Sequence, residues 1–315
     1  MRGLLAARIA QVVPTLLLVS VLVFLLQQLM PGDPAIVLAG EERGDPVVLA
    51  QIRAELWLDR PLPVQYLHWL YNLLHGNLGH SWRIREPVLG LILEKLPVTA
   101  QLACMAFVIA VLIGIPTGVL AAVKRNTVWD YGASFVGLAG LSTPNFWLGI
   151  LLILLISVHL GWLPPSGYVS LAEDWRQSLA TTIMPAFVLG NAIAAVFMRH
   201  TRSAMVTALA QDYVRTARAK GIGEVRVILK HALRNALLPV VTLGALELGA
   251  LLSGAVLTEQ VFSIPGFGKL IVDAVFNRDY PVVQGVVLVT ATVYIVLNLL
   301  ADVLYVLINP RLRSA

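Results

Sequence analysis

Residues 9–29 run for 21 positions without a charged side chain, and five more such stretches follow, at 96–123, 131–172, 177–198, 235–258 and 280–308. The last two are interrupted only by Glu247 and Asp302. About 20 apolar residues are enough for a helix to cross a bilayer, and a chain lying in lipid must satisfy its backbone groups internally. The third stretch holds Gly161, Pro164, Pro165, Ser166 and Gly167, which end its helix near Leu160. The expected fold is therefore an all-α membrane protein, a six-span helical bundle. Composition agrees: 58% of the chain is hydrophobic and 13% charged, where a soluble domain carries about 25% charged residues. So little charge cannot cover a water-facing surface. A soluble enzyme, a disordered chain and a nucleic-acid-binding module are excluded, despite a net charge of +5. The first stretch is long for a signal-peptide core and no A-x-A site follows it closely, so it reads as a retained span. Cys104, the single cysteine, permits no disulfide framework and no thiolate metal cluster.

An even number of spans puts both termini on one side. With the termini inside, the inner segments 1–8, 124–130, 199–234 and 309–315 carry 14 Lys and Arg against 3 acids. The outer segments carry 9 against 13. The positive-inside rule therefore places both termini in the cytoplasm. The implied organisation is an N-terminal segment with span 1 at 1–30, an outer cap at 31–95, a core at 96–308 containing an inner loop at 199–235, and a tail at 309–315.

Pro14, Pro116, Pro144 and Pro185 fall inside spans, which lipid tolerates only where neighbouring helices or cavities satisfy the freed carbonyls. Gly114 and Gly118 form a G-x-x-x-G pair suited to close backbone packing. Outside the lipid, VVLAQIRAEL and VQYLHWLYNLLHG are amphipathic runs separated by Asp59, Arg60, Pro61 and Pro63, so two helices of a small extracytoplasmic cap are expected. Its aromatics Trp57, Tyr66, Trp69, Tyr71 and Trp82 suit either the lipid interface or a soluble partner.

The inner segment from Asp212 to Pro239 reads DYVRTARAKGIGEVRVILKHALRNALLP. Asp212 can cap a short helix from Tyr213 to Lys220, Arg218 and Lys220 suit its C-terminal dipole, and Gly221 can close it in the left-handed conformation. Val225, Ile228, Leu229 and Ala232 then repeat at helical spacing. A short stiff helix of this kind suits a groove in another protein, and eight Lys and Arg in 36 residues would equally attract anionic lipid.

RTARAKG with a proline 18 residues after its glycine resembles the EAA loop of ABC importer permeases. Arg215, Thr216 and Ala217 stand where the usual motif has Glu-Ala-Ala, a departure that matches the dipeptide and oligopeptide branch. LMPGDPA, LDRPLPVQY, STPNFWLG, GWLP, HALRNALLPVVT, TEQVFSIPGFGKL, RDYPVVQG and NPRLR extend the resemblance along nearly the whole chain. It implies a permease subunit in the bacterial inner membrane, paired with a second homologous permease and two ABC ATPases. An extracytoplasmic binding protein would deliver dipeptides or oligopeptides. Closely similar permeases import glutathione or nickel, and substrate choice rests mostly with the binding protein. Asp212, Tyr213, Arg215, Thr216, Ala217, Arg218, Lys220 and Gly221 would form the coupling helix that meets an ATPase. The chain has no G-x-x-x-x-G-K-[ST] phosphate loop, since Gly268 and Lys269 are followed by Leu270. ATP and Mg would thus be used by the partner ATPases, with no cofactor bound here.

Glu247 lies midway along span five, where a carboxylate costs about 2.5 to 3.5 kcal/mol. It either lines the translocation path, attracting a peptide ammonium, or is neutralised against a neighbouring helix. Asn145 and Asn191 are further intramembrane polar groups, for the path or for interhelical hydrogen bonds. Asp302 is expected to pair with Arg311 or Arg313. Pro265, Gly266 and Phe267 lie in a turn-rich outer loop that either dips back as a gate or is a plain hairpin. His68, His75 and His80 lack the spacing of metal ligands, and no metal site or catalytic constellation is expected. A stand-alone secondary carrier would fit the composition, but no inverted repeat or set of paired intramembrane charges stands out.

Overall fold

The computed structural model describes residues 2–29, 33–39 and 45–308. Helix α1 (Arg2–Leu29) is the first span and tolerates Pro14 in its interior. The outer cap follows as α2 (Pro34–Ala39), α3 (Pro46–Glu55) and α4 (Leu62–Leu74). Asp45 caps α3 by accepting from the Val47 amide at 2.8 Å, and prolines start both α3 and α4, where a missing N–H costs nothing. The cap sits on the first span: Tyr66 Oη meets Ser20 Oγ at 2.9 Å, and Phe24 packs edge-on against Tyr66 at 5.5 Å. Trp69 lies 5.9 Å from the same Phe24 ring. These two aromatics hold the cap together, while Tyr71 remains exposed.

Helix α5 (Val88–Val123) begins eight residues before the charge-free stretch and carries Glu94 and Lys95 in its outer turns. Because helix geometry does not stop at the membrane surface, the charge boundary at residue 96 marks the lipid and not the helix end.

The third span departs from expectation. One helix from 131 to about 160 was implied, whereas α6 (Val128–Ser142) and α7 (Asn145–Leu152) meet at a bend of 102°, and a π-helical turn, Ile153–His159, completes the pair. The cause is Pro144, which stands at the break and not inside a helix. Thr143 before it is extended (ψ 121°), as steric clash with a following proline ring requires.

Helix α8 (Trp175–Leu209), capped by Asp174 through the Arg176 and Gln177 amides, runs about three turns beyond the expected span end at residue 198. It pairs most extensively with α5, and here the G-x-x-x-G pair acts. A Cβ on Gly114 would stand 2.5 Å from the Ala194 carbonyl oxygen, and one on Gly118 would stand 2.6 Å from that of Met198. The two backbones therefore touch. Gly190 makes the reciprocal approach to Ala106 O from α8.

Short helix α9 (Asp212–Ala219) leads to α10 (Glu224–Arg226), a π-helical turn Val227–Ala232, and α11 (Leu233–Gly254) with Pro239 inside. At the other end of the bundle lie α12 (Val256–Val261) and α13 (Phe267–Phe276), before the last span α14 (Tyr280–Ile308). Among the described residues, five helices are long and apolar enough to cross a membrane, and the bent α6–α7 pair makes a sixth candidate. Exposed Leu112, Phe135, Val136 and Val158 would be untenable in water over so wide a belt and suit lipid. The expected pairing of Asp302 with Arg311 or Arg313 lies outside the described residues.

Candidate functional site

Two polar constructions stand at opposite ends of the bundle. At one end, α9 is held by its apolar stripe: Val214 and Ala217 are buried among Ala122 of α5, Met205 and Ala208 of α8, and Val227, Ala232 and Ala236. Asp212, Tyr213, Arg215, Thr216, Arg218 and Lys220 all face outward. The start of the helix differs from expectation by one residue. Gln211 occupies the cap position without a side-chain capping bond, and Asp212 opens the first turn, where its charge suits the dipole. Its carboxylate meets Arg215 Nη1 at 3.4 Å.

The end of α9 is as expected. Gly221 has φ +73°, its amide donates to Arg218 O at 2.9 Å, and the Ile222 amide donates to Ala217 O at 3.3 Å. That pair of bonds is a Schellman closure, which needs the left-handed residue that glycine supplies without a Cβ clash. Arg218 then reaches forward to Glu224 with two bonds, Nε to Oε2 at 3.0 Å and Nη2 to Oε1 at 2.6 Å, bracing the turn.

The stripe expected at Val225, Ile228, Leu229 and Ala232 is corrected. Ile228 and Ala232 pack inward, but Val225 and Leu229 are exposed, and Val227 is fully buried. The π-helical turn explains the change: its i→i+5 bonds bring residues five apart, Val227 and Ala232, onto one face. Val225 and Leu229 are left as exposed apolar groups near α9, a feature that 3.6-residue periodicity conceals.

In the membrane, Asn191 Nδ2 donates to the Gly140 carbonyl at 3.2 Å, latching α8 to α6. It also lines an apolar cleft of about 460 Å³ between α5, α6 and α8 that includes neither Asn145 nor Glu247. Asn145 is half-buried at the first turn of α7, directly after the 102° break. Glu247 is half-buried on α11. Among the described residues no hydrogen bond or ion pair reaches the Glu247 carboxylate.

At the opposite end, Pro265, Gly266 and Phe267 belong to a packed knot. Ile264 and Phe267 are buried, and Ser263 takes φ +52° to turn the chain. At its centre is a carboxylate that the sequence reading counted only as an outer acid. Glu259 is fully buried. It accepts from Thr99 Oγ1 at 2.6 Å and from the Lys269 amide at 2.8 Å, and the Gly268 amide also reaches it. The Phe267 amide in turn donates to Thr99 Oγ1 at 2.8 Å. Burial pushes the Glu259 carboxyl above its ordinary range, and the bonds from Thr99, Lys269 and Gly268 oppose that shift. The glycines make the arrangement possible, since a Cβ on Gly266 would collide with the Glu259 carboxyl group. An acid followed by P-G-x-G six residues on is the signal that was available.

Nearby, Asp279 is buried and accepts from the Ser81 hydroxyl and from the Trp82 amide at 3.1 Å, fastening the outer loop before α5 to the start of α14. His68 stacks on Trp57 at 4.0 Å, and the His75 ring lies tilted against Tyr71 at 4.2 Å. Among the described residues, no group of three His, Cys, Asp or Glu side chains is placed to hold a metal ion.

A bundle of spans with a small helix docked at one end has the fold of an ABC importer permease. The inward-facing MetNI methionine ABC transporter shares it, with a TM-score of 0.57 at 18% identity, over 70% of this chain and 96% of that one. The chain belongs to the family of binding-protein-dependent transport system inner membrane components, whose model matches residues 114–314, while the companion N-terminal model matches 1–103. It is 44% identical over 97% of both chains to the dipeptide transport system permease protein DppB of Escherichia coli K12. It is 45% identical over 99% of both chains to the di/tripeptide transport system permease protein DppB of Pseudomonas aeruginosa. The protein is thus a multi-pass inner-membrane permease subunit of an ABC transporter.

Proposed function

We propose that this permease forms half of the translocation pathway of an ATP-driven importer of dipeptides or oligopeptides. The observation that carries the substrate class is the identity of 44–45% over almost the entire chain to permeases named for peptide transport. Its partners are a second homologous permease, two ABC ATPases and an extracytoplasmic substrate-binding protein, with lipid around the spans. The chain itself is non-catalytic and binds no cofactor, and ATP and Mg are consumed by the ATPases.

The outward residues of α9, from Asp212 to Lys220, meet an ATPase. Gly221 sets the angle at which the helix is presented, and both termini lie in the cytoplasm. Support for the docking role comes from the division of α9 itself: Val214 and Ala217 fix it to the bundle, leaving a charged, rigid outer face for a partner. Glu247, Asn145 and Asn191 contribute polar groups to the path, and Pro265, Gly266 and Phe267 form the outer gate.

Reconstitution of the whole complex in proteoliposomes, with its binding protein, tests the substrate. Uptake of dipeptides in preference to glutathione and nickel is expected. ATP-dependent uptake of nickel or glutathione with no peptide uptake would contradict the proposal.

A further inference from the structure

The Glu259 knot is more than a folded loop. Helix α13 begins at Phe267, and its first three amides have no partners within the helix, as at any helix start. All three are satisfied from other elements: Phe267 by Thr99 of α5, and Gly268 and Lys269 by Glu259 of α12. Thr99 completes the ring by donating its proton to Glu259. Three helices therefore share one closed network, fully buried at both side chains. Among the described residues no cation pairs with the carboxylate, so its hydrogen bonds and the positive end of α13 compensate its burial. Losing one member orphans the others, because the remaining donors are shut away from water.

We propose that Glu259 and Thr99 are positioning residues forming a latch that makes the outer loop and α13 move with α5 as one rigid body. The span that lies against α8 along its length then drives the outer gate directly. This rests on the reading of residues 265–267 as a gate in a peptide importer. A second tie points the same way. The Gly167 amide of the neighbouring outer loop donates to Phe262 O at 3.0 Å, and Tyr168 Oη donates to Gln101 Oε1 of α5 at 2.8 Å. The loop at 167–168 is thereby tied both to the Glu259 segment and to α5.

The test uses the complete complex in nanodiscs, in a Cys104→Ala background. Spin labels are placed at Gly90→Cys on α5, where a side chain meets nothing within 4 Å, and at Asn277→Cys beyond the end of α13. With the latch intact, the inter-label distance is expected to be narrow and the same in nucleotide-free and ATP-trapped states. Thr99→Val and Glu259→Gln are each expected to broaden or shift it. Each should also lower the ratio of substrate-stimulated to basal ATPase by about fivefold or more. The double variant should be no worse than either single one, as expected of residues in one network. Thr99→Ser, which keeps the hydroxyl, should restore both readouts, which a loss of folding would not allow.

Variants that assemble yet keep the parental distance and stimulation overturn the latch, as does a parental distance that changes between the two states. If the parent complex shows no peptide stimulation while the latch variants still alter the distance, the peptide reading fails and the latch stands.

Discussion

Gly221 is the residue whose chemistry is most tightly prescribed. Its φ of +73° lies where a β-branched side chain clashes with the neighbouring carbonyl, at a cost of roughly 1–2 kcal/mol. Nothing stands within 4 Å of its would-be Cβ, so the penalty of Gly221→Val is backbone strain and not crowding. The variant complex is expected to assemble but to lose substrate-stimulated ATPase, because α9 would be presented at a different angle. Stimulation fully retained would contradict its role in the closure. Glu247→Gln is expected to lower uptake while leaving assembly intact. The half-buried carboxylate makes no hydrogen bond or ion pair among the described residues, so its removal leaves no partner orphaned. Unchanged uptake across substrates would remove Glu247 from the path.

Among elements, the α5–α8 pair sets the architecture through small residues. Gly114→Val would push a side chain into the Ala194 carbonyl and the Phe197 Cβ. Overpacking of this kind costs about 1–3 kcal/mol, which should appear as a lowered unfolding temperature in detergent, whereas Gly90→Ala on the open face should be near neutral. This contact was legible in the sequence because G-x-x-x-G spacing follows directly from helix geometry, as were the spans, the cap helices and the short helix ending at Gly221. Three features were not. Pro144 was visible, but a proline inside a span permits either a kink or a full break, and the choice of 102° depends on what receives α7. The π-helical turns change the period itself, so a search at 3.6 residues assigns Val225 and Leu229 to the wrong face. Glu259 looked like any outer carboxylate, because its burial is created by Thr99, 160 positions earlier in the chain.

At the scale of the molecule, the two constructions lie on opposite sides of the bundle, and α5 contributes to both through Ala122 at one end and Thr99 at the other. The proposed orientation, with α9 in the cytoplasm and the Glu259 knot outside, rests on the charge bias of the loops. In a Cys104→Ala background, Asn277→Cys should react with a membrane-impermeant maleimide applied to spheroplasts, and Lys220→Cys only after lysis. The reverse pattern would invert the topology. As proposed, this chain converts the work of separate ATPases into movement of its own helices, so the proteins that purify with it decide the matter. Affinity purification from the native membrane in mild detergent, followed by mass spectrometry, should recover one further six-span permease and P-loop ATPases in stoichiometric amounts. Recovery of the chain alone, or only with copies of itself, would contradict the account.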